Sequence, residues 1–354
     1  MTQEKEINQN KLENYQSVFL GCAIGDALGM PVEGWKPQQI KRYATRITDF
    51  IDAVEVRDRD GALIRQDEFG KLGYYNLELQ AGQYTDDTIL TLALAESLIA
   101  EQGINIEDIA QRQLAEYTKR QREDGTVREG FGGTTREAFK NLLAGKSPYE
   151  SGVVGGPGNA PAMKMSPMGL YIHTTGQVDY GLNAAEVIGK ITHLDPRSLA
   201  SGVVQAYAVC SLLLDCPRKD FAEALADVCR QWEKPVTPEF SLADKGTLTE
   251  RLQWVAQHQD VSAEEAYQHL RSSSKVYSSY PFAVFMFQKY WDEPVNGLIE
   301  TVNYGGDCDT TGAIYGALAG ARHGLCWPEK WMQEVQNSEY LKELGNKMWE
   351  MGRN

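Results

Sequence analysis

Two short acidic runs carry the clearest chemical signal in this sequence: Thr85-Asp86-Asp87-Thr88, directly ahead of the apolar stretch Ile89 to Ala100, and Asp307-Cys308-Asp309-Thr310, ahead of a stretch that starts at Gly312. A single Asp or Thr at such a place is ordinary, because its side-chain oxygen accepts hydrogen bonds from the free N–H groups of a first helical turn and suits the positive end of the helix dipole. Each run, however, supplies two carboxylates and a hydroxyl where a cap needs one residue, and the second follows Gly305-Gly306. Brought together, the four carboxylates would repel at about 4 kcal/mol per close pair at an effective dielectric near 20. Hard cations reverse that sign. Oxygen-only ligands suit Mg²⁺ or Mn²⁺, and this much carboxylate can hold a pair of ions roughly 3.5–4 Å apart. Zinc is disfavoured, since no Cys and His set accompanies the carboxylates.

The elements that must position these runs read as helices. Apolar residues recur at helical spacing over Ile89 to Ala100, Ile106 to Gln121, Thr135 to Leu143, Ala184 to Thr192, Ser198 to Leu214, Phe221 to Trp232, Thr247 to Ala256, Ala263 to Ser272, Phe282 to Trp291, Val295 to Val302 and Gly312 to His323, with little strand-like alternation. The fold class expected is all-α. Gly312, Ala313, Gly316, Ala317, Gly320 and Ala321 form a face of small residues that permits close helix approach and would hold Asp307 and Asp309 rigidly. From Trp35 to Gly82 periodicity is weak, which predicts a long ordered loop with short strand-like pieces. The Gly- and Pro-rich stretch Ser151 to Pro167 is either a domain boundary or a binding loop. With no internal repeat and no low-complexity linker, a single domain over residues 15–354 is the simpler reading. It is preceded by a polar extension, residues 1–14, that is a frayed tail or a partner-binding arm.

Composition bounds the function classes. Thirty-five basic against 49 acidic residues leave a formal charge of −14, which argues against nucleic acid and against an anionic membrane as charge-driven partners. No stretch is apolar enough to span a bilayer and the start is polar, so a cytoplasmic protein is expected, as a monomer. The six cysteines have no paired spacing and read as reduced, buried packing residues, with Cys308 set apart by its acidic neighbours.

At this point a family resemblance enters. Gly25-Asp26-Ala27-Leu28-Gly29 followed by Glu33, then Gly82-Gln83-Tyr84 leading into the first acidic run, then Asn303-Tyr304-Gly305-Gly306 leading into the second, resemble the ADP-ribosylglycohydrolases, including dinitrogenase reductase-activating glycohydrolase. The motifs occur in order and span Gly21 to Gly324. The resemblance implies an orthogonal multi-helix bundle with a binuclear metal cleft, holding two Mg²⁺ with Mn²⁺ as the alternative. Thr85, Asp86, Asp87, Asp307, Asp309 and Thr310 would be the ligands, and Glu33 would lie near the metals. It further implies that the turn Gly130-Phe131-Gly132-Gly133-Thr134 and the loop Gly155-Gly156-Pro157-Gly158-Asn159 line an ADP-ribose cleft, with Gly132, Gly156, Gly158 and Asn159 in contact with substrate. Glycines let backbone N–H groups approach phosphate, which an acidic protein without a basic patch requires. His193 resembles a cleft histidine of the family; alternatively it serves the last carbonyls of its helix.

The sequence also departs from the family pattern. Cys308 replaces a usual threonine, and the glycine loop continues Ala160-Pro161-Ala162-Met163-Lys164 where the family ends Met-Arg. A lysine cannot reproduce the arginine fork. With no aromatic beside Asn159, adenine stacking falls to Phe131 or Tyr149.

The implied activity is removal of ADP-ribose from a modified side chain, arginine favoured, by water attack at the anomeric carbon with Glu33 or Asp309 as base. Substrates would be an ADP-ribosylated protein or an ADP-ribose-containing small molecule. The competing readings are an inactive binding or structural homologue, and an immunity or regulatory protein that also binds an ADP-ribosyltransferase directly.

Overall fold

The computed structural model describes residues 2–237 and 246–351, with side chains described from residue 11 onward. Its first helix, Thr2–Gly29, is buried on every side from Tyr15 to Leu28 apart from Gln16, as a helix that is apolar nearly all round must be. Its main partner is the helix Cys308–His323. The two run antiparallel and touch backbone to backbone: a Cβ added at Gly21 would lie 2.1 Å from Gly316 O, one at Gly25 2.0 Å from Gly312 O, and one at Gly29 2.2 Å from Cys308 O. The stripe of small residues therefore does what its spacing suggests. It also places the C-terminal end of the first helix, from which Asp26 and Glu33 come, against the N-terminal end of the other, which carries Asp307 and Asp309.

Gly25→Ala tests this arrangement. Alanine ordinarily gains about 1 kcal/mol over glycine inside a helix, but here the new methyl meets a carbonyl that cannot rotate away. The expected net result in a denaturant titration is destabilisation by about 3 kcal/mol, the upper part of the usual overpacking range.

Around this pair the remaining helices pack about one continuous core. Ser338–Glu350 covers the opposite side of the first helix, and Asp86–Glu101 joins it with Ile106–Lys119 behind. A second layer centres on the buried helix Pro196–Leu213, flanked by Ser166–Thr175, Val178–Lys190 and Arg218–Trp232. Helix starts follow local chemistry: Asn105, Asp195, Thr247 and Ser262 each accept a hydrogen bond from a first-turn N–H. The only ladder among the described residues is the antiparallel pair Gln66–Asp67 with Gly70–Lys71, inside the long loop. The all-α expectation holds, and the loop contains both this hairpin and the turns Pro37–Gln39 and Ile40–Ala44.

Several boundaries differ from the sequence reading. Helix Val276–Lys289 starts six residues earlier than its apolar run and passes through Pro281. The stretch Ser151 to Pro167 already contains the helices Ala160–Met163 and the start of Ser166–Thr175, whose prolines sit in the first turn where no N–H is needed. All six cysteines are free, but Cys216 and Cys326 are only half-buried. At the N-terminus, Lys11 Nζ donates to Leu213 O at 2.6 Å and Asn14 Nδ2 to Ala321 O at 2.7 Å. Of the extension expected over residues 1–14, as a frayed tail or a partner-binding arm, the side chains of residues 1–10 lie outside the described residues. No helix among the described residues is long and apolar enough to cross a membrane.

Candidate active site

The first acidic run is freed from capping by a carboxylate from elsewhere in the chain. Thr85 occupies the N-cap of helix Asp86–Glu101 but its side chain makes no capping bond. Asp26, fully buried on the first helix, does that work. Its carboxylate accepts from Thr85 N at 3.0 Å and Thr88 N at 3.1 Å, and from the hydroxyls of Thr85 at 2.9 Å and Thr88 at 2.7 Å. Asp86 and Asp87, in the first turn, are thus left for other partners, and Asp87 Oδ1 is buried with none.

The second run is similar. Asp307 is the N-cap of Cys308–His323 and makes no side-chain capping bond; its Oδ2 instead accepts from Asn159 Nδ2, which also donates to Ser279 Oγ at 3.0 Å. Asp309, 4% exposed, has a buried Oδ1 without a partner. Just ahead, Gly305 and Gly306 take φ of 66° and 68°, a left-handed turn that favours glycine. The turn lets Gly306 N donate to Trp35 O at 2.7 Å while Gly34 N donates to Gly306 O at 2.6 Å. This reciprocal pair ties the Glu33 turn to the second acidic run. Carboxylate oxygens of Glu33, Asp307 and Asp309 consequently lie within 4.8 Å of one another, and Asn76 Nδ2 holds Glu33 Oε2 at 2.7 Å.

So many buried acids resist ionisation. Burial, then the charge of Asp307, pushes Glu33 up to about 8. Burial raises Asp307 to about 6, and Asp26 also to about 6 despite its threonine hydrogen bonds. Asp86, Asp87 and Asp309 are held well above the usual carboxylate range by burial first and by neighbouring carboxylates second. Fold stability alone does not favour such a set, because each anion is desolvated and repelled. Unpartnered buried oxygens on Asp87 and Asp309 and an all-oxygen donor set fit one or two hard divalent cations.

The cluster floors a cleft of ≈ 1290 Å³, larger than most small-molecule pockets and wide enough for an extended nucleotide. Of the residues singled out from sequence, Glu33, Asp86, Asp87, Gly132, Gly156, Gly158, Asn159, His193, Asp307, Asp309 and Thr310 all line it. Thr85 is fully buried beneath, its hydroxyl on Asp26. Phe131 lines the cleft but is 5% exposed and packs edge-on against Tyr117. Tyr149 is absent from the lining; it is 54% exposed and borders a separate depression, so it is not available for adenine stacking there.

The structure also adds residues that sequence reasoning passed over. Asp26 belongs to the Gly25-Asp26-Ala27-Leu28-Gly29 motif but has no role assigned from sequence, and Asn76, in the long loop, carries no signal. The cleft is not without cations either. Gly158 pairs with Lys275 across an isolated bridge, and a Cβ at Gly156 would lie 2.7 Å from Lys275 Nζ, so an ammonium stands beside the glycine loop. Arg136 and Arg271 line the same cleft. Lys164 lies behind the wall, fully buried.

Comparison with known proteins agrees with the motifs. The sequence model of the ADP-ribosylglycohydrolase family matches residues 8–354. An uncharacterized protein of Archaeoglobus fulgidus is 29% identical over 345 residues, covering 96% of this chain and 97% of its own length. The ADP-ribosyl-(dinitrogen reductase) glycohydrolase of Rhodospirillum rubrum is 28% identical, covering 90% and 88%. The ADP-ribosylhydrolase ARH3 of Mus musculus is also 28% identical, covering 75% and 76%. A solved structure described as an ADP-ribosylglycohydrolase-related protein complex superposes with a TM-score of 0.64 at 25% identity, covering 97% of this chain and 99% of that one.

Proposed function

The chain belongs to the ADP-ribosylglycohydrolase family, and from that membership we propose that its cleft is a divalent-metal-dependent site that hydrolyses the bond between ADP-ribose and a modified protein side chain, arginine favoured. The observation that carries this reading is the convergence of Glu33, Asp307 and Asp309 beside the buried, unpartnered oxygens of Asp87 and Asp309, at the floor of a cleft edged by the glycine loop. When bound, a pair of Mg²⁺ or Mn²⁺ ions held by Thr85, Asp86, Asp87, Asp307, Asp309 and Thr310 supplies Lewis-acid polarisation and a readily deprotonated water.

The protein's own groups divide the remaining work. Backbone N–H groups of the Gly155–Asn159 loop, with the Lys275 ammonium beside Gly156, suit the diphosphate. The anionic floor favours positive charge developing on the ribose as the glycosidic bond at its anomeric carbon breaks. Glu33 takes the proton from the attacking water: one oxygen is fixed by Asn76 and the side chain is half-buried at the cleft. Asp309, deeper and less exposed, serves as a ligand.

The direct test is a panel of arginine-, serine- and glutamate-linked ADP-ribosyl substrates, assayed with Mg²⁺ and again with chelator. Release of ADP-ribose that requires the metal is expected, fastest from arginine; no release from any linkage would end the proposal. Asn76→Ala, which leaves all the carboxylates in place, should lower kcat about 10- to 100-fold while metal still binds, the usual scale for a group that orients a functional side chain. Calorimetric titration of Mg²⁺ alongside the rate measurement checks both halves.

A further inference from the structure

Lys164 is fully buried and reaches no carboxylate at salt-bridge distance among the described residues; its Nζ has Gln113 Oε1 at 3.1 Å and Thr192 Oγ1 at 3.4 Å. Gln113 and Thr192 are themselves fully buried. Below about pH 7, where Lys164 carries its charge, the ammonium only donates, so Thr192 Oγ1 faces one of its hydrogens. Thr192 must then give its own hydroxyl hydrogen to one of two acceptors: His193 Nδ1 at 2.9 Å or Gly189 O at 3.5 Å. The hydrogen goes to the 2.9 Å contact, which alone of these lies in the ordinary hydrogen-bond range, and the positive charge 3.4 Å from the same oxygen opposes an Nδ1–H aimed at it.

His193 Nδ1 is therefore an acceptor, and the hydrogen of the neutral imidazole sits on Nε2. Burial and the Lys164 charge keep the ring neutral, pushing it down to about 3. Nε2 makes no protein hydrogen bond among the described residues and stands against Gly158, where an added Cβ would lie 2.6 Å away. The Gly158 carbonyl is already engaged by Ser198 Oγ at 2.7 Å. His193 and Gly158 both line the cleft.

We infer that Lys164 and Thr192 are positioning residues that lock His193 in its Nε2–H tautomer, so that the imidazole offers a fixed N–H donor to a diphosphate or ribose oxygen of ADP-ribose beside Gly158. The ligand part rests on the hydrolase reading above; the tautomer part does not. The chain thus uses its lysine, where the family pattern has arginine, as a point charge that orients a hydroxyl.

The test is ¹⁵N NMR of the histidines at pH 6, where Lys164 is charged and His193 neutral, in the full-length protein with chelator and no substrate, with His193→Asn assigning the resonances. The expected spectrum has an unprotonated Nδ1 and a protonated Nε2. Thr192→Val should shift it toward a mixture of tautomers and weaken ADP-ribose binding on the order of tenfold, the scale of one lost charge-assisted hydrogen bond, and Thr192→Ser should restore both. A wild-type ring protonated at Nδ1, or a Thr192→Val spectrum identical to wild type, overturns the lock. The expected spectrum together with unchanged ADP-ribose affinity in Thr192→Val overturns the donor role. Should Thr192→Val fail to fold, the wild-type spectrum still decides the tautomer. Because that spectrum is read without metal or substrate, a failed substrate panel would count against the hydrolase reading and leave the tautomer result standing.

Discussion

Asp309→Ala is expected to reduce metal-dependent hydrolysis by about 10³-fold, the upper scale for removing one group that stabilises charge in a transition state, and to abolish the rise in melting temperature on adding Mg²⁺. The two effects belong together because Asp309 has no structural task that competes with ligation. It is 4% exposed, its Oδ1 has no partner, and its carboxylate lies within 4.8 Å of those of Glu33 and Asp307. Burial first, and then the neighbouring carboxylates, hold its proton affinity up, so in the metal-free protein the charge it brings is a cost. Removing it should leave the metal-free fold as stable as before or slightly more so, which separates loss of function from loss of folding. In the wild type, Mg²⁺ at 100 times its dissociation constant adds about 2.7 kcal/mol by mass action, a shift of a few degrees. Thermal melts with and without Mg²⁺, run beside the rate assay, check the pairing. Normal hydrolysis by Asp309→Ala, or a metal-induced shift of wild-type size, would remove the metal centre from the account.

What sequence made legible was local. Doubled acids beside hydroxyls at 85–88 and 307–310 stood out because a single cap would have sufficed, and the small residues from Gly312 to Ala321 announced a close helix crossing. The crossing itself, Gly25 on Gly312 and Gly21 on Gly316, could not be read from either segment alone. Asp26 shows the same limit: it lies within a quoted motif, yet its task is to cap a helix that begins sixty residues later, and only the folded register reveals that. Once Asp26 takes the cap, the first of the two helices begins at Asp86 rather than at Ile89, so Asp86 and Asp87 are first-turn members and not loop residues; the second begins at Cys308, with Asp307 at its N-cap and Asp309 in its first turn. Lys164 and Lys275 illustrate another gap. A net charge of −14 argues against a basic patch, but says nothing about one ammonium buried behind a wall and another set against a glycine loop. Asn76 had no periodic or motif context, and its grip on Glu33 is a purely tertiary fact.

The second large effect concerns pH and metal together. Glu33 moves from an ordinary 4.5 to about 8 on folding, Asp26 and Asp307 from 3.8 to about 6, and Asp86, Asp87 and Asp309 move in the same direction. Between about pH 4 and pH 8 these carboxyl groups therefore hold more protons in the folded, metal-free protein than in the unfolded chain. With more protons bound in the native state, unfolding free energy falls as pH rises. Stability contributed by the protonated cluster is thus complete below pH 4 and lost progressively through pH 8. His193, pushed down to about 3, and Lys164, pushed down to about 7, act in the opposite sense, His193 below pH 6.5 and Lys164 above pH 7. Neither competes with a cation for the same oxygens, so both largely cancel when the loaded and chelated proteins are compared at one pH. Protons and Mg²⁺ do compete for the cluster oxygens. The difference in melting temperature between Mg²⁺-loaded and chelated protein should accordingly be small at pH 5 and widen steadily to pH 8. A difference that stays constant across that range would mean that the cation binds somewhere other than among these carboxylates.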